Sequence, residues 1–386
     1  MFGRNSWMRN RNFGLNRSPR LAPDFKRNLA PILIASLVIF QFACHAAAPT
    51  GVSASTPIPL AKELIFYDWD GDMPQSVLDA FESEYNVRVT YLAYESQEEA
   101  IENLGDGLVY DVIVMESRFI PSLVDQGLLA SLDRQNIPNL KNISANFREL
   151  AYDPDNSYSV PYNWGTTGLV VRSDLVAAPI SSWNSLWDPQ YAGRVGIWKG
   201  QPRETIGLTL KALGYSANSE NQVELEEALE YLMQLKSHAL IIEDYNSYTS
   251  AYMLVEGQAV MTVGFAYDVL EGSRLNGSIT YVLPQEGALL WGDNFIVPSN
   301  SQDQYTAELF IDFLMRPEIN AEIANQNLYA TPNEAAFPYI QPELLNNPVI
   351  FPSAESLRNS EVILPLSGRG QEMYDDVWDW LWGRND

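Results

Sequence analysis

The spacing of apolar positions in this chain changes several times, and each change marks an element. "ELIFYDW" (63–69) is a run of aromatic and β-branched residues ending at polar turn residues, the pattern of a strand. In the following "GDMPQSVLDAFESEY", Val77, Phe81 and Tyr85 recur every four residues, which predicts a helix with Asp72 as its cap and Pro74 in its first turn. Residues 87–94 read as a second strand, 97–105 as a second helix and 110–116 as a third strand. Strands alternating with helices at this spacing form a parallel sheet with crossover helices, and such sheets bind ligands beyond the carboxyl ends of their strands. Those ends are Trp69-Asp70 and Glu116-Ser117, and both are acidic.

A second unit begins near Gly168. Strands are predicted at 168–172, 194–198, 258–265 and 278–284, and "WGDNFIVP" (291–298) returns to strand character. Residues 221–236 place Leu225, Leu229 and Leu232 on one helical face; 307–315 and 372–382 also read as helices. "GRGQE" (368–372) is expected to be a turn. No internal repeat or low-complexity tract interrupts the pattern. At 386 residues, two α/β units account for the chain.

The amino-terminal 43 residues stand apart. A basic stretch ending in Lys26-Arg27 precedes the apolar run 29–43, too short for a membrane span and suited to an export signal. Cys44 follows directly and is the only cysteine, so no intrachain disulfide can form. Its position resembles that of the lipid acceptor of bacterial lipoproteins; the alternative is cleavage near "HAAAP" (45–49). Either way the chain leaves the cytoplasm. Residues 44–61 are small, Pro-containing and nearly uncharged, as a tether would be.

Charge sharpens the picture. The first 43 residues hold seven of the 24 basic side chains and one of the 49 acidic ones, leaving 17 against 48 and a formal charge of −31 from Cys44 onward. Such a surface repels nucleic acid and anionic lipid and draws cations toward it. Catalysis finds little support. The chain has two histidines, His45 in the tether and His238, which is too few for a histidine triad or a His-rich metal site. Phosphate-binding and dinucleotide glycine motifs are missing, so no catalytic residue, metal or cofactor is expected. Chance pairs of acids are abundant here, which makes a glycosidase reading weak.

Trp291 and Asp293 pose the main chemical question, because an indole beside a carboxylate has two explanations. Either Trp packs and Asp caps a turn, or the two form part of a site for an organic cation. An alkylammonium needs carboxylates for its charge and ring faces for its methylenes, each cation–π contact contributing about 0.5–2 kcal/mol. Trp69, Trp291 and Tyr329 fall at segment ends in this reading, which moves them toward a cleft.

Five segments carry a family resemblance: "LIFYDWDGDMPQSVLDAFESEYNVRVTYLAYES", "YSVPYNWGTTGLVV", "SWNSLWDPQYAGRVGI", "PQEGALLWGDNFIVP" and "FLMRPEINAEIANQNLYATPN". Together they resemble the spermidine/putrescine-binding proteins of bacterial ABC importers, from about Lys62 to the carboxyl terminus. The resemblance implies an α/β, bilobal, type II periplasmic-binding fold with two segments crossing between lobes, one lobe from 62–167 and 292–335 and the other from 168–291 and 336–386. It implies a polyamine in the cleft, with another small cationic or zwitterionic solute in the same fold as the alternative, an ABC permease as partner, a monomer, and no enzymatic activity. By position, Trp69, Asp70, Glu204, Trp291, Asp293 and Tyr329 correspond to ligand contacts, and Asp379 joins them as a candidate. Gln201 stands where relatives can carry an aspartate, and Phe265 where they often carry tryptophan. Glu116 and Arg118 replace small polar and tyrosine residues; Glu116 can restore the lost acid, and Arg118 opposes a cation unless it pairs with Glu116.

Overall fold

The first three predicted strands form and pair as their spacing requires. The computed structural model describes residues 58–243 and 247–383. β1 (Glu63–Trp69) pairs in parallel with β2 (Arg88–Tyr94) along its whole length and with β3 (Val112–Glu116) at Phe66 and Tyr67. The crossover helices Gln75–Tyr85 and Gln97–Gly105 connect them. The first buries Val77, Leu78 and Phe81, the predicted face. Its cap differs from expectation: Pro74 holds the cap position without a side-chain hydrogen bond, and its carbonyl accepts from the Val77 N–H at 3.1 Å. Asp72 lies two residues ahead of it and turns toward the strand ends. Ser96 caps the second helix, its hydroxyl accepting from the Glu99 N–H at 3.1 Å.

β4 (Ser159–Arg172) is far longer than the predicted 168–172. Its first half reads as "SVPYNWG", where proline, asparagine and glycine mask the strand signal. After it come β5 (Val195–Trp198), β6 (Leu240–Ile242), β7 (Met261–Phe265), β8 (Ile279–Val282), β9 (Leu289–Ile296) and β10 (Glu361–Val362). All ten strands join one sheet in the order β2-β1-β3-β9-β4-β7-β5-β6, with β10 beside β9 and β8 beside β4.

β4 and β9 are the two strands common to both ends of this sheet. β9 runs antiparallel to β4 from Ser159 opposite Ile296 to Thr167 opposite Leu289, with an irregularity between Pro161 and Asn163. Its Asp293–Ile296 end pairs with β3, and Leu289 and Leu290 pair with β10. The far end of β4 pairs with β7 and β8. Two cores follow this division. Leu64, Phe66, Phe81, Val114, Phe295 and Phe310 pack in one, and Leu169, Trp183, Trp198, Leu208, Val263 and Leu289 in the other. Each such side chain contributes about 1.5–3 kcal/mol on burial.

Helices Pro202–Leu213, Gln222–Lys236 and Gly368–Trp382 pack together through Ile206, Leu232, Tyr374, Val377 and Leu381. "GRGQE" is the first turn of the last of these, not a free turn. The Ser367 hydroxyl accepts from the Gly370 N–H at 3.0 Å, and Glu220 accepts from the Ser367 N–H at 2.7 Å. That cap offsets the helix-weakening glycines. The expected export signal, the tether before residue 58 and Cys44 lie outside the described residues. Among the described residues, no helix is long and apolar enough to cross a membrane.

Candidate functional site

Register in the shared strands decides which side chains meet. β3 and β9 place Glu116 opposite Asp293, and β4 and β9 place Asn163 opposite Asp293 and Gly165 opposite Trp291. Trp291 therefore lies inside β9, not at a segment end as its sequence context suggested. Asp293 is likewise mid-strand and buried, so the turn-cap explanation fails. Gly165 is required here, because an added Cβ would lie 2.8 Å from Cε2 and Cη2 of the Trp291 ring.

The aromatic candidates form a continuous wall. Trp291 meets Phe265 edge to face at 5.6 Å and Tyr329 at 5.5 Å. Phe265 reaches on to Trp198 at 4.9 Å, and Tyr329 to Tyr267 at 5.7 Å. The Trp291 Nε1–H is buried without a partner. Trp69, at the end of β1, packs against Tyr94 at 4.7 Å, and the Tyr91 hydroxyl donates to its carbonyl.

Acids gather at the same place. Asp68 is fully buried; burial drives its pKa well up and Asp72 and Asp293 add to the rise, against the Trp69 N–H that donates to it at 2.8 Å. Its Oδ2 has no partner. Asp72 is pushed up to about 7 by burial and by the charge of Asp70, which is itself exposed at the rim. Asp293 is raised well above the carboxylate range by burial, then by Glu116 and Asp72. Glu116 is raised to about 7, burial and Glu204 outweighing the nearby Arg118. The cation placed among them is Arg118, with Nε 3.0 Å from Glu116 and Nη2 3.9 Å from Glu204. Both amide atoms of Asn163 are buried without partners beside this group.

Glu204 sits in the first turn of helix Pro202–Leu213, a position that suits a negative side chain, and Gln201 is the cap residue, partly buried and without a capping hydrogen bond. Behind the acids, a polar lattice holds the strands in place. Ser117 donates to the Gly292 carbonyl at 2.8 Å, Asn294 donates to Ser117 at 3.1 Å, and Tyr152 donates to Asn294 at 2.9 Å.

Of the sequence candidates, Glu116, Glu204, Phe265, Trp291, Asp293 and Tyr329 are linked by contact, register or charge, with Trp69 and Asp70 at the end of β1 beside Asp68 and Asp72. Asp379 is placed elsewhere, exposed on helix Gly368–Trp382, whose buried face is formed by Tyr374, Val377 and Leu381. Sequence reasoning missed Asp68, Asp72 and Asn163. Asp68 left a signal: it follows Leu64 and Phe66 in the inward phase of β1, where an acid has no packing role. Chemically, the arrangement is an acid-rich, ring-walled site short of positive charge. Such a site can neutralise and desolvate an organic cation.

Comparisons with known proteins identify the relatives of this chain. A family model described as bacterial extracellular solute-binding protein matches residues 76–351. The spermidine/putrescine-binding periplasmic protein of Escherichia coli is 30% identical over 302 residues, 77% of this chain and 85% of that protein. Among solved structures, the substrate-binding protein of a spermidine/putrescine ABC transporter from Streptococcus pneumoniae superimposes with a TM-score of 0.75 at 28% identity, covering 83% of this chain and 98% of that one. A lipoprotein of Treponema pallidum does so with a TM-score of 0.74 at 27% identity, covering 83% and 99%. The fold expected from the sequence, the bilobal type II periplasmic-binding architecture, is the fold of these neighbours.

Proposed function

Because the chain belongs to the bacterial extracellular solute-binding proteins, we propose that it captures a polyamine such as putrescine or spermidine outside the cytoplasm and delivers it to an ABC importer. The observation that carries this reading is the cluster of Asp68, Asp72, Glu116, Glu204 and Asp293, in which the guanidinium of Arg118 reaches Glu116 and Glu204 and none of the three aspartates. Buried carboxylates without positive partners are costly, and a polyamine supplies those partners while its methylenes pack on Trp291, Phe265 and Tyr329. An uncharged sugar would leave the carboxylates unpaired.

The lobes are residues 62–167 with 292–335, and 168–291 with 336–386, hinged at β4 and β9. Ligand shifts the equilibrium from open to closed, and the closed form presents a composite surface to the permease. Cys44 carries the lipid that holds the monomer at the outer face of the membrane; the likeness to a lipoprotein of Treponema pallidum supports that attachment. Nothing in this role requires turnover of the ligand.

Isothermal calorimetry on the full chain in detergent tests the reading. One-to-one binding of putrescine, spermidine or spermine is expected. Heat with a neutral sugar and none with any polyamine would overturn it.

A further inference from the structure

Building on the polyamine reading, we infer that Arg118 is a resident cation that closes one end of the cleft and limits the length of amine the protein accepts. Its guanidinium lies between two carboxylates that are 12% and 5% exposed, 3.0 Å from Glu116 and 3.9 Å from Glu204. The same group stands 4.6 Å above the Phe119 ring. Two acids and a ring face are the neighbours an alkylammonium needs. The chain therefore fills one ammonium position with its own side chain.

Strand geometry fixes where that position lies. Glu116 and Asp293 share a rung of the β3–β9 ladder, so their backbones are one strand spacing apart, about 4.8 Å. Arg118 engages the Glu116 end, on the short turn Ser117–Phe119 that follows β3. Asp68, Asp72 and Asp293 remain for the guest, beside Trp291 and Tyr329. A short diamine finds its acids there. A longer triamine would bring its far ammonium against the Arg118 charge, in a site shielded from water, where like charges repel most strongly. Glu204 Oε2 is buried without a partner, so an acceptor waits at this end once the guanidinium is removed.

Calorimetry of the full chain with putrescine and with spermidine, repeated on R118Q and R118K, reads this out as an affinity ratio. Wild type is expected to favour putrescine by about tenfold or more, and R118Q to move the ratio toward spermidine by at least about tenfold. R118K keeps the charge and is expected to keep the wild-type order. Should R118Q fail to fold by circular dichroism, the double variant E116Q/R118Q removes acid and base together, and the ratio is read on that protein. A wild-type preference for spermidine, an unchanged ratio in the neutral variant, or a Lys variant that behaves like the Gln variant would each overturn the inference and leave the polyamine reading standing. Absence of heat with every polyamine would sink both.

Discussion

Glu116 and Asp293 face each other across β3 and β9, two buried carboxylates in one rung of an antiparallel ladder. Like charges directly opposite in a sheet repel. Two features ease the pairing: Arg118 binds Glu116, and burial raises both acids toward the protonated form. Ionising both acids together therefore calls for a cation between them, and measurable consequences attach to each part of the site.

Asp293→Asn keeps the shape and removes the charge. It is expected to weaken polyamine binding by about 2–5 kcal/mol, some thirty-fold to several-thousand-fold. The melting temperature of the ligand-free protein should stay level or rise, since a neutral amide is easier to bury beside Glu116 and Asp72 than an ionisable carboxyl. A clear drop in melting temperature with affinity unchanged would assign Asp293 a structural role instead.

Gly165→Ala tests the wall. A methyl group at this position collides with the Trp291 ring, so the ring must rotate or the strands must part. Overpacking of this kind costs about 1–3 kcal/mol of stability. Affinity should fall as well, because the displaced ring no longer faces the amine. Denaturant melts and calorimetry on the same sample separate the two effects; an affinity equal to wild type would show that Trp291 is only packing.

Acid pH should weaken binding. Asp72 and Glu116 are held near about 7 by burial, against ordinary values of 3.8 and 4.5, and Asp68 and Asp293 are raised too. Below those ordinary values the groups are protonated in folded and unfolded chains alike. As pH rises toward about 7, the unfolded chain releases protons that the ligand-free fold retains, so its stability falls through that window and levels off above it. A polyamine binds the ionised acids and must expel those protons. Affinity should therefore climb from pH 5 to pH 8. Calorimetry in buffers of different ionisation heat should show proton release at pH 6 that shrinks at pH 8.5; proton uptake would contradict the cluster's assignment.

Cys44→Ser should release the protein from membranes or stall its processing, as fractionation and mass measurement would reveal. Membrane retention unchanged, with cleavage after the alanines beyond His45, would point to another anchor.

Much of this was legible in the chain. β1, its helices and β3 announced themselves because each buries one clean face. β4 did not, since its first half mixes Pro161, Asn163 and Gly165 with buried tyrosine and valine. Those same residues serve the site: Asn163 borders the acids and Gly165 makes room for Trp291. Asp72 was misassigned because an acid before Pro74 looks like a helix cap, and only the turn after β1 shows that it faces Asp68. The Arg118 bridge to Glu204 spans residues far apart in sequence, which no local pattern records.

The β4–β9 ladder also sets a schedule for folding. Ser159 and Ile296 are neighbours in it, though most of the second core is encoded between them. Neither end of the sheet can be completed until the stretch that forms β9 has been synthesised, and closing so long a loop is slow. The polypeptide consequently spends its early life without a finished core on either side. Until then the chain stays loose, and β9, shared by both cores, is the piece that each of them waits for.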